Sequence, residues 1–216
     1  MTSIPPIYDR DGITIYNADC RDVLPHIDPS SVGLLLTDPP YGMAYTPQRQ
    51  SRLRWAGVTV EGDSEPFDPR PLLRYPRCVL WGANWYAQHL PPSGGWIVWD
   101  KKPEGKRRGF ISSDVELAWS NVAGRTFKAV WQWDGAQRDG NEPFLHPTQK
   151  PVGLMAWIIE EFTRPGDLIL DPYMGSGPVA AAAYRLGRRY IGVEIVPEYC
   201  QIAINRLAQP ALFAAS

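Results

Sequence analysis

Short apolar runs rich in β-branched and aromatic residues recur along the chain, each bounded by Gly, Pro, Asp or Asn, which is the pattern of strands. The runs predict strands at Ile13–Asn17, Val32–Thr37, Cys78–Trp81, Trp96–Trp99, Val115–Trp119, Thr126–Trp133, Leu168–Leu170 and Tyr190–Val193. Several are apolar almost without a break, Val32 to Leu36 above all, as expected of a parallel sheet covered on both faces. Helices are predicted between them at Asn84–His89, Val152–Phe162 after Pro151, Val179–Leu186 before Gly187, and Glu198–Leu207 after Pro197. The alternation implies an α/β fold, a mostly parallel central sheet with right-handed crossovers. In such sheets ligands sit beyond the carboxyl ends of the strands. Two segments break the alternation: Gly42–Arg70, with Tyr45, Gln48, Arg49, Gln50, Arg52, Arg54 and Trp55, and Asp100–Ser113, DKKPEGKRRGFISS. Both leave the carboxyl end of a predicted strand, so both should overhang the site.

Composition narrows the class. A chain of 216 residues and 24.3 kDa fits one domain, residues 1–216, around a single core. Its 44% hydrophobic and 21% charged residues exclude wholesale disorder. No apolar run approaches the roughly 20 residues that span a bilayer, and the opening MTSIPPIYDRDG does not read as a signal peptide. Cys20, Cys78 and Cys200 are far apart, with neither a disulfide framework nor paired metal-ligand spacing, so a reducing cytoplasm and no metal or membrane are expected. A net charge of −1 argues against a nucleic-acid binder, but the charge is divided. Residues 1–42 carry −4, residues 43–108 carry +5 and residues 109–216 carry −2. The plain reading of the basic segment is a solvated charged face.

Two motifs carry chemistry. Leu168–Asp171 followed by Pro172-Tyr173-Met174-Gly175-Ser176-Gly177 reads as a buried strand, a Gly turn and an Ala-rich helix. Such a turn lets backbone approach a ligand closely, and the helix start offers free N–H groups. Glu194 ends the next strand, 23 residues beyond Asp171, where an acid can accept hydrogen bonds from ribose hydroxyls. The competing reading is a turn that only packs helix on strand. The second motif, Asp38-Pro39-Pro40-Tyr41, follows the most apolar strand. Its prolines remove donors and fix φ, leaving the Asp38 carboxylate and Pro39 carbonyl as rigid acceptors beside the face of Tyr41. That is a receptor for a planar ring bearing an NH₂ group; the alternative is a proline turn in which Asp38 caps and Tyr41 packs.

Together these residues resemble a family. Asp38–Tyr41 resembles the D-P-P-Y motif of the amino-group DNA methyltransferases, which methylate adenine N6 or cytosine N4 using S-adenosyl-L-methionine (SAM). Asp171–Gly177 resembles their cofactor loop, and His146-Pro147-Thr148-Gln149-Lys150-Pro151 the segment before it. Asn17-Ala18-Asp19-Cys20 is similar to a further cofactor contact. Catalytic motif before cofactor loop is the order of the permuted β group, and the matches span residues 13 to 207. The resemblance implies a Rossmann-like SAM-dependent methyltransferase fold with helices on both faces of the sheet. It implies that Asp171, Tyr173, Gly175, Ser176 and Gly177 hold the methionine part and backbone of the cofactor, Glu194 its ribose, Asp19 and Cys20 its adenine end, and Thr148 and Lys150 its carboxylate end. Asp38 lies against the cofactor as well as the target. Tyr173 stands where the family often has Phe, and Pro178 where it often has Thr.

The implied reaction needs no metal and no covalent intermediate. Asp38 and the Pro39 carbonyl would draw the amino group into line with the sulfonium methyl, so positioning and electrostatics carry the rate. A duplex base must be flipped out to reach them and would stack on Tyr41. Asp rather than Ser at the first motif position favours adenine N6 over cytosine N4. Arg49, Arg52, Arg54, Lys101, Lys102, Lys106, Arg107 and Arg108 then become candidates for DNA phosphates, with Trp55, Tyr45 or Phe110 as possible wedges. Methylation of RNA or of a protein amide is a rival reading; a nicotinamide-dependent oxidoreductase or non-catalytic nucleotide-binding module would leave Asp38–Tyr41 unexplained. Between the strand ending near Trp133 and His146 only Asp134–Leu145 remains, 12 residues, too short for a reading subdomain. Short or relaxed specificity is expected, or specificity from the Gly42–Arg70 segment, a homodimer or a separate partner.

Overall fold

The computed structural model describes residues 4–43, 61–101, 113–134, 137–138 and 149–208. In chain order the elements are β1 (Tyr8–Arg10), β2 (Ile13–Asn17), α1 (Cys20–Val23), β3 (Leu34–Thr37), β4 (Cys78–Trp81), β5 (Gly95–Asp100), β6 (Val115–Ser120), β7 (Phe127–Val130), β8 (Trp133–Asp134), β9 (Gln137–Arg138), α2 (Val152–Phe162), β10 (Leu168–Asp171), α3 (Pro178–Arg185), β11 (Arg189–Glu194) and α4 (Pro197–Leu207). Nine strands form one sheet in the order β1-β2-β11-β10-β3-β4-β6-β5-β7, and β8 pairs with β9 apart from it. The run β2-β11-β10-β3-β4 is parallel throughout, β5 and β7 share its direction, and β1 and β6 are reversed. The carboxyl ends of β2, β3, β4, β5, β10 and β11 therefore meet the start of β6 along one edge.

The apolar runs explain the layering. Alternate residues of the central strands face opposite ways, and each set finds its own cover. Ile13, Ile15, Leu34, Leu36 and Ile169 pack under α2, α3 and α4, with Ala180, Ala182 and Ala183 fully buried where α3 lies between its neighbours. Leu35, Leu80, Leu168, Leu170 and Val193 form the second layer, covered by α1, by 3₁₀ turns and by Leu72 and Tyr75. Helices thus flank both faces, but among the described residues the second carries only the four-residue α1 beside its short turns. Trp81, Trp99, Trp119 and Trp133 are buried; Trp96 and Trp131 are half-buried.

Two expectations are corrected, and one strand is added. Tyr8–Arg10, too short and polar to read as a strand, pairs with β2 through a two-residue Asp11-Gly12 turn, with φ of 52° and 78°. Asp-Gly is a strong signal for such a hairpin. Asn84–His89 is not one helix but two 3₁₀ turns, Ala83–Trp85 and Ala87–His89, interrupted at Tyr86 with φ −130°. Thr126–Trp133 does not run as one strand: β7 stops at Val130, and Trp133 opens the separate β8–β9 hairpin.

Ile169 lies at the middle of the parallel run and is fully buried. Ile169→Ala should lower unfolding free energy by about 2–5 kcal/mol, the usual cost of a large-to-small core change, measured by urea titration.

Candidate active site

Every sequence-predicted motif within the described residues comes to the shared edge of the sheet. β3 ends at Thr37 and delivers Asp38; β10 ends at Asp171, and β11 at Glu194. Thr37 Oγ1 donates to Asp171 Oδ1 at 2.7 Å, which joins the two motifs across adjacent strands.

Around Asp38 the polar groups form a compact cluster. Its Oδ1 accepts from the Tyr41 hydroxyl, and its Oδ2 lies 2.5 Å from Lys150 Nζ. Lys150 Nζ is also 2.9 Å from Glu116 Oε2, and 5.6 Å from the centroid of the Trp81 ring beside it. Glu116 Oε1 pairs in turn with Lys101, whose ammonium lies 5.2 Å from the Trp99 centroid. Burial pushes the Asp38 carboxyl up, with Glu116 adding to the rise and Lys150 opposing it. Burial also opposes the charges on Glu116 and Lys150, but their partners prevail. Lys150 and Lys101 hold the Glu116 carboxyl down at about 2, and Asp38 and Glu116 raise the Lys150 ammonium.

Two devices fix the turn that carries Tyr41. Asp63 Oδ1 accepts from the backbone N–H groups of Tyr41, Gly42 and Met43 at 2.9, 2.8 and 3.2 Å. Gly82, at φ +69°, lies so close to Tyr41 that a Cβ there would fall 1.9 Å from ring atom Cε1. Neither residue was picked out from the sequence. Asp63 is one acid among several in a segment without period, and Gly82 follows β4 with no motif around it.

Beside this cluster lies the Gly turn. Asp171 is buried; its Oδ1 also accepts from Tyr173 N–H at 3.3 Å and its Oδ2 from the Tyr190 hydroxyl at 3.3 Å. Desolvation outweighs these bonds and pushes its carboxyl up to about 7. Glu194 accepts from Gly175 N–H and Val196 N–H, both at 2.8 Å, so it joins the turn to the start of α4. Burial raises the Glu194 carboxyl. Asp19 caps α1, accepting from Arg21 N–H at 2.9 Å, and the Arg21 side chain holds its carboxyl low. Cys20 is buried against Tyr173, whose ring meets Phe67 edge-on at 5.7 Å. Phe67, from the segment before β4, is another site residue that the sequence did not reveal. Pro178, noted as a departure, opens α3 as its first residue.

The cradle fits a charged, polar cofactor. Ser176 Oγ is buried in the turn without a hydrogen-bond partner, and such an atom is costly unless a ligand supplies one. Asp171 is a buried carboxyl ready to ionise beside an arriving cation.

Thr148, Arg49, Arg52, Arg54, Lys102, Lys106, Arg107 and Arg108 lie outside the described residues, as do His146, Tyr45, Trp55 and Phe110. Lys101 corrects its expected role: it turns inward to Glu116, with 16% of its side chain exposed, because a buried carboxylate needs the counter-charge. Lys150, expected at the cofactor's carboxylate end, has its ammonium on Asp38 and Glu116.

The profile of the DNA methylase family matches residues 85–205. The chain belongs to that family. Over 254 aligned residues it is 24% identical to the type II methyltransferase M2.LlaDCHI of Lactococcus lactis subsp. cremoris, covering 96% of this chain and 94% of that one. Over 124 residues it is 39% identical to M2.DpnII of Streptococcus pneumoniae, covering 57% of this chain and 46% of that protein. Among solved structures, M1.HpyAVI in complex with SAM matches with a TM-score of 0.54 at 26% identity, over 90% of this chain and 99% of that one. The PvuII cytosine-N4 methyltransferase has a TM-score of 0.69 at 15% identity, covering 95% and 90%, and shows the fold alone. This DNA methylase is thus a SAM-dependent DNA methyltransferase with its motifs in β-group order.

The raised Asp171 carboxyl gives a stability prediction. Between pH 4 and pH 7 the folded DNA methylase keeps a proton there that the unfolded chain has lost, so stability falls as pH rises through that window. The loss is about 4 kcal/mol for a shift of about three units. Asp171→Asn should flatten that part of the stability–pH curve in the cofactor-free protein, measured by denaturant titration at each pH.

Proposed function

We propose that this DNA methylase, as one permuted domain, methylates the exocyclic N6 of an adenine flipped out of DNA. The observation that carries the reading is the rigid Asp38–Tyr41 turn, tied through Thr37 and Asp171 directly to the Gly turn. SAM, when bound, supplies an electrophilic sulfonium methyl. Asp171, Tyr173, Ser176 and the N–H groups of the turn are suited to its methionine portion, Glu194 to its ribose, and Cys20 to its adenine. Asp19 shares that end, although Arg21 already occupies its carboxylate.

The chain's own groups account for the acceptor side. An adenine amino group is a poor nucleophile because its lone pair is delocalised into the ring. Asp38 and the Pro39 carbonyl accept its two N–H bonds, which favours a pyramidal nitrogen with the lone pair directed at the methyl. Asp38 then stabilises the positive charge that develops on nitrogen as the bond forms. The Tyr41 face receives the base, and Gly82 and Asp63 hold the turn that carries it. Asp at position 38 supports adenine over cytosine.

Tritium transfer from labelled SAM to unmethylated bacterial genomic DNA, followed by nucleoside chromatography, should yield N6-methyladenine. N4-methylcytosine would correct the target base, and label in RNA or protein alone would overturn the reading. Asp38→Ala should slow transfer by about a hundredfold or more, while SAM affinity changes less than about threefold; wild-type activity in that variant would remove the proposed site.

The reading extends to specificity. Of the 12 residues Asp134–Leu145, the β8–β9 hairpin already uses Asp134 and Gln137–Arg138. Recognition is therefore short or relaxed, or rests on the Gly42–Arg70 segment, a second copy or a separate specificity partner. Methylation mapping of treated genomic DNA should show a short or degenerate site; a long strict site read by the isolated monomer would refute this. Its three described cysteines are free and buried, and no described helix is long and apolar enough to cross a membrane. These features support a cytoplasmic place beside the DNA.

A further inference from the structure

Glu116 has no part in the reaction described above, yet it lies at its centre. β6 runs against its neighbours β4 and β5, so the beginning of β6 reaches the same edge as the end of β3. Glu116 Oε1 is paired with Lys101. Its Oε2 is buried and ion-paired with Lys150 Nζ at 2.9 Å, without a well-aligned hydrogen bond. The lysine directs its shortest hydrogen bond at Asp38 Oδ2, 2.5 Å away, and a longer one at the Tyr41 hydroxyl, 3.4 Å away. One ammonium thus lies between two carboxylates, bonded to one and poised beside the other.

The arrangement raises a problem for the target base. Both oxygens of Asp38 are engaged, Oδ1 by the Tyr41 hydroxyl and Oδ2 by Lys150. Each oxygen keeps a second lone pair, but with the Lys150 ammonium 2.5 Å away on Oδ2 an incoming amino group competes with that cation for the acceptor. Lys150 has 5% of its side chain exposed and cannot release its charge to water. A buried ammonium that leaves one carboxylate without meeting another is strongly disfavoured.

We propose that Glu116 is a positioning residue that takes over Lys150 when the target amino group binds Asp38. The ammonium passes from Asp38 Oδ2 to Glu116 Oε2 and frees the acceptor oxygen. The step breaks and forms hydrogen bonds only and moves no proton between groups. It keeps the cluster of Asp38, Glu116, Lys150 and Lys101 electrically balanced inside the protein. The proposal rests on the reading of Asp38 as the acceptor of the target amino group.

Lys150 and Glu116 both favour their charged forms where they stand, as a hand-over between ions requires. Asp38 is also faced by Tyr41 and by Asp171. Glu116 contributes to raising the Asp38 carboxyl, so its neutralisation should leave Asp38 more acidic and more tightly paired to Lys150.

The test is single-turnover methyl transfer to unmethylated bacterial genomic DNA across pH, with SAM affinity measured separately. Glu116→Gln should slow transfer at least tenfold, change SAM affinity less than threefold, and move the acidic limb of the rate profile to lower pH. Glu116→Asp keeps the charge but withdraws it by one methylene. It should slow transfer several-fold and leave the acidic limb in place. Should the Gln variant fail to fold, the Asp variant decides alone. A transfer rate within twofold of wild type in either folded variant would overturn the hand-over. So would a slow Gln variant whose acidic limb has not moved, since that is the mark of a purely structural role. Asp38→Ala separates the layers: if it is inactive while Glu116→Gln is normal, only the hand-over fails, whereas an active Asp38→Ala removes the reading beneath it.

Discussion

The hydrogen bond from Thr37 to Asp171 holds the site together. The motifs proposed for target and cofactor lie more than 130 residues apart in sequence, and methyl transfer tolerates little error in their separation. The sheet makes them neighbours by placing β10 beside β3, with Ile169 opposite Leu34 and Leu170 opposite Leu35. Just beyond these pairs Thr37 and Asp171 bond through side chains, while their backbones stay in the ladders to β4 and β11. Thr37 Oγ1 also lies 3.3 Å from Tyr173 N–H, so one hydroxyl contacts the end of one motif and the turn of the other. Because the bond is buried, loss of the hydroxyl would leave the Asp171 oxygen short of a donor, at a cost of about 1–3 kcal/mol.

Electrostatics around that bond divide the edge into two unlike halves. Asp38 shares its half with Lys150, Glu116 and Lys101, two negative and two positive groups that neutralise one another within a few ångströms. Asp171 has only neutral donors, Thr37, Tyr190 and the Tyr173 N–H, so desolvation dominates and pushes its carboxyl up to about 7. Burial raises the Asp38 carboxyl too, but there the Lys150 ammonium opposes the rise and supports a carboxylate facing a substrate that arrives neutral. A carboxyl like Asp171 acquires its charge when a cation comes to share the site. The two carboxylates therefore suit the two reactants for the same reason that one acid in an active site can differ from its neighbour: environment rather than residue type sets the proton.

How much of this could be read from the chain follows from range. The parallel sheet was legible because its central strands are apolar on both faces, and the Asp38–Tyr41 and Asp171–Gly177 turns because their chemistry is local and contiguous. Glu194 was legible because a strand end at a set distance from a Gly turn is itself a local pattern. Glu116, Asp63, Gly82 and Phe67 were not. Each acts on a residue far from it in sequence or sits in a stretch without period, and a lone Glu on a strand looks like any solvent-facing acid until β6 is known to run backwards. Lys101 was misread for a related reason. It stands in a basic run, DKK, whose composition indicates phosphate, but its immediate neighbour in space is Glu116. The 3₁₀ turns at residues 83–89 show a smaller failure, where helical composition was overridden by the close approach of Gly82 to Tyr41 and by the tie of the Tyr86 hydroxyl to Trp81 O at 2.5 Å.

The uneven layering of the fold bears on the target side. Long helices cover one face, whereas the segment before β4 must cover much of the other, with Leu72 and Tyr75 fully in the core. That same segment sends Asp63 to the backbone of the catalytic turn and Phe67 to Tyr173. Its far end is thus anchored by burial, and its near end by three hydrogen bonds to Tyr41–Met43. Residues 44–60 join Met43 to that near end in sequence, and they carry Arg49, Arg52 and Arg54. A contact made by those arginines would pull directly on the turn that holds Tyr41 and on the carboxylate that fixes it.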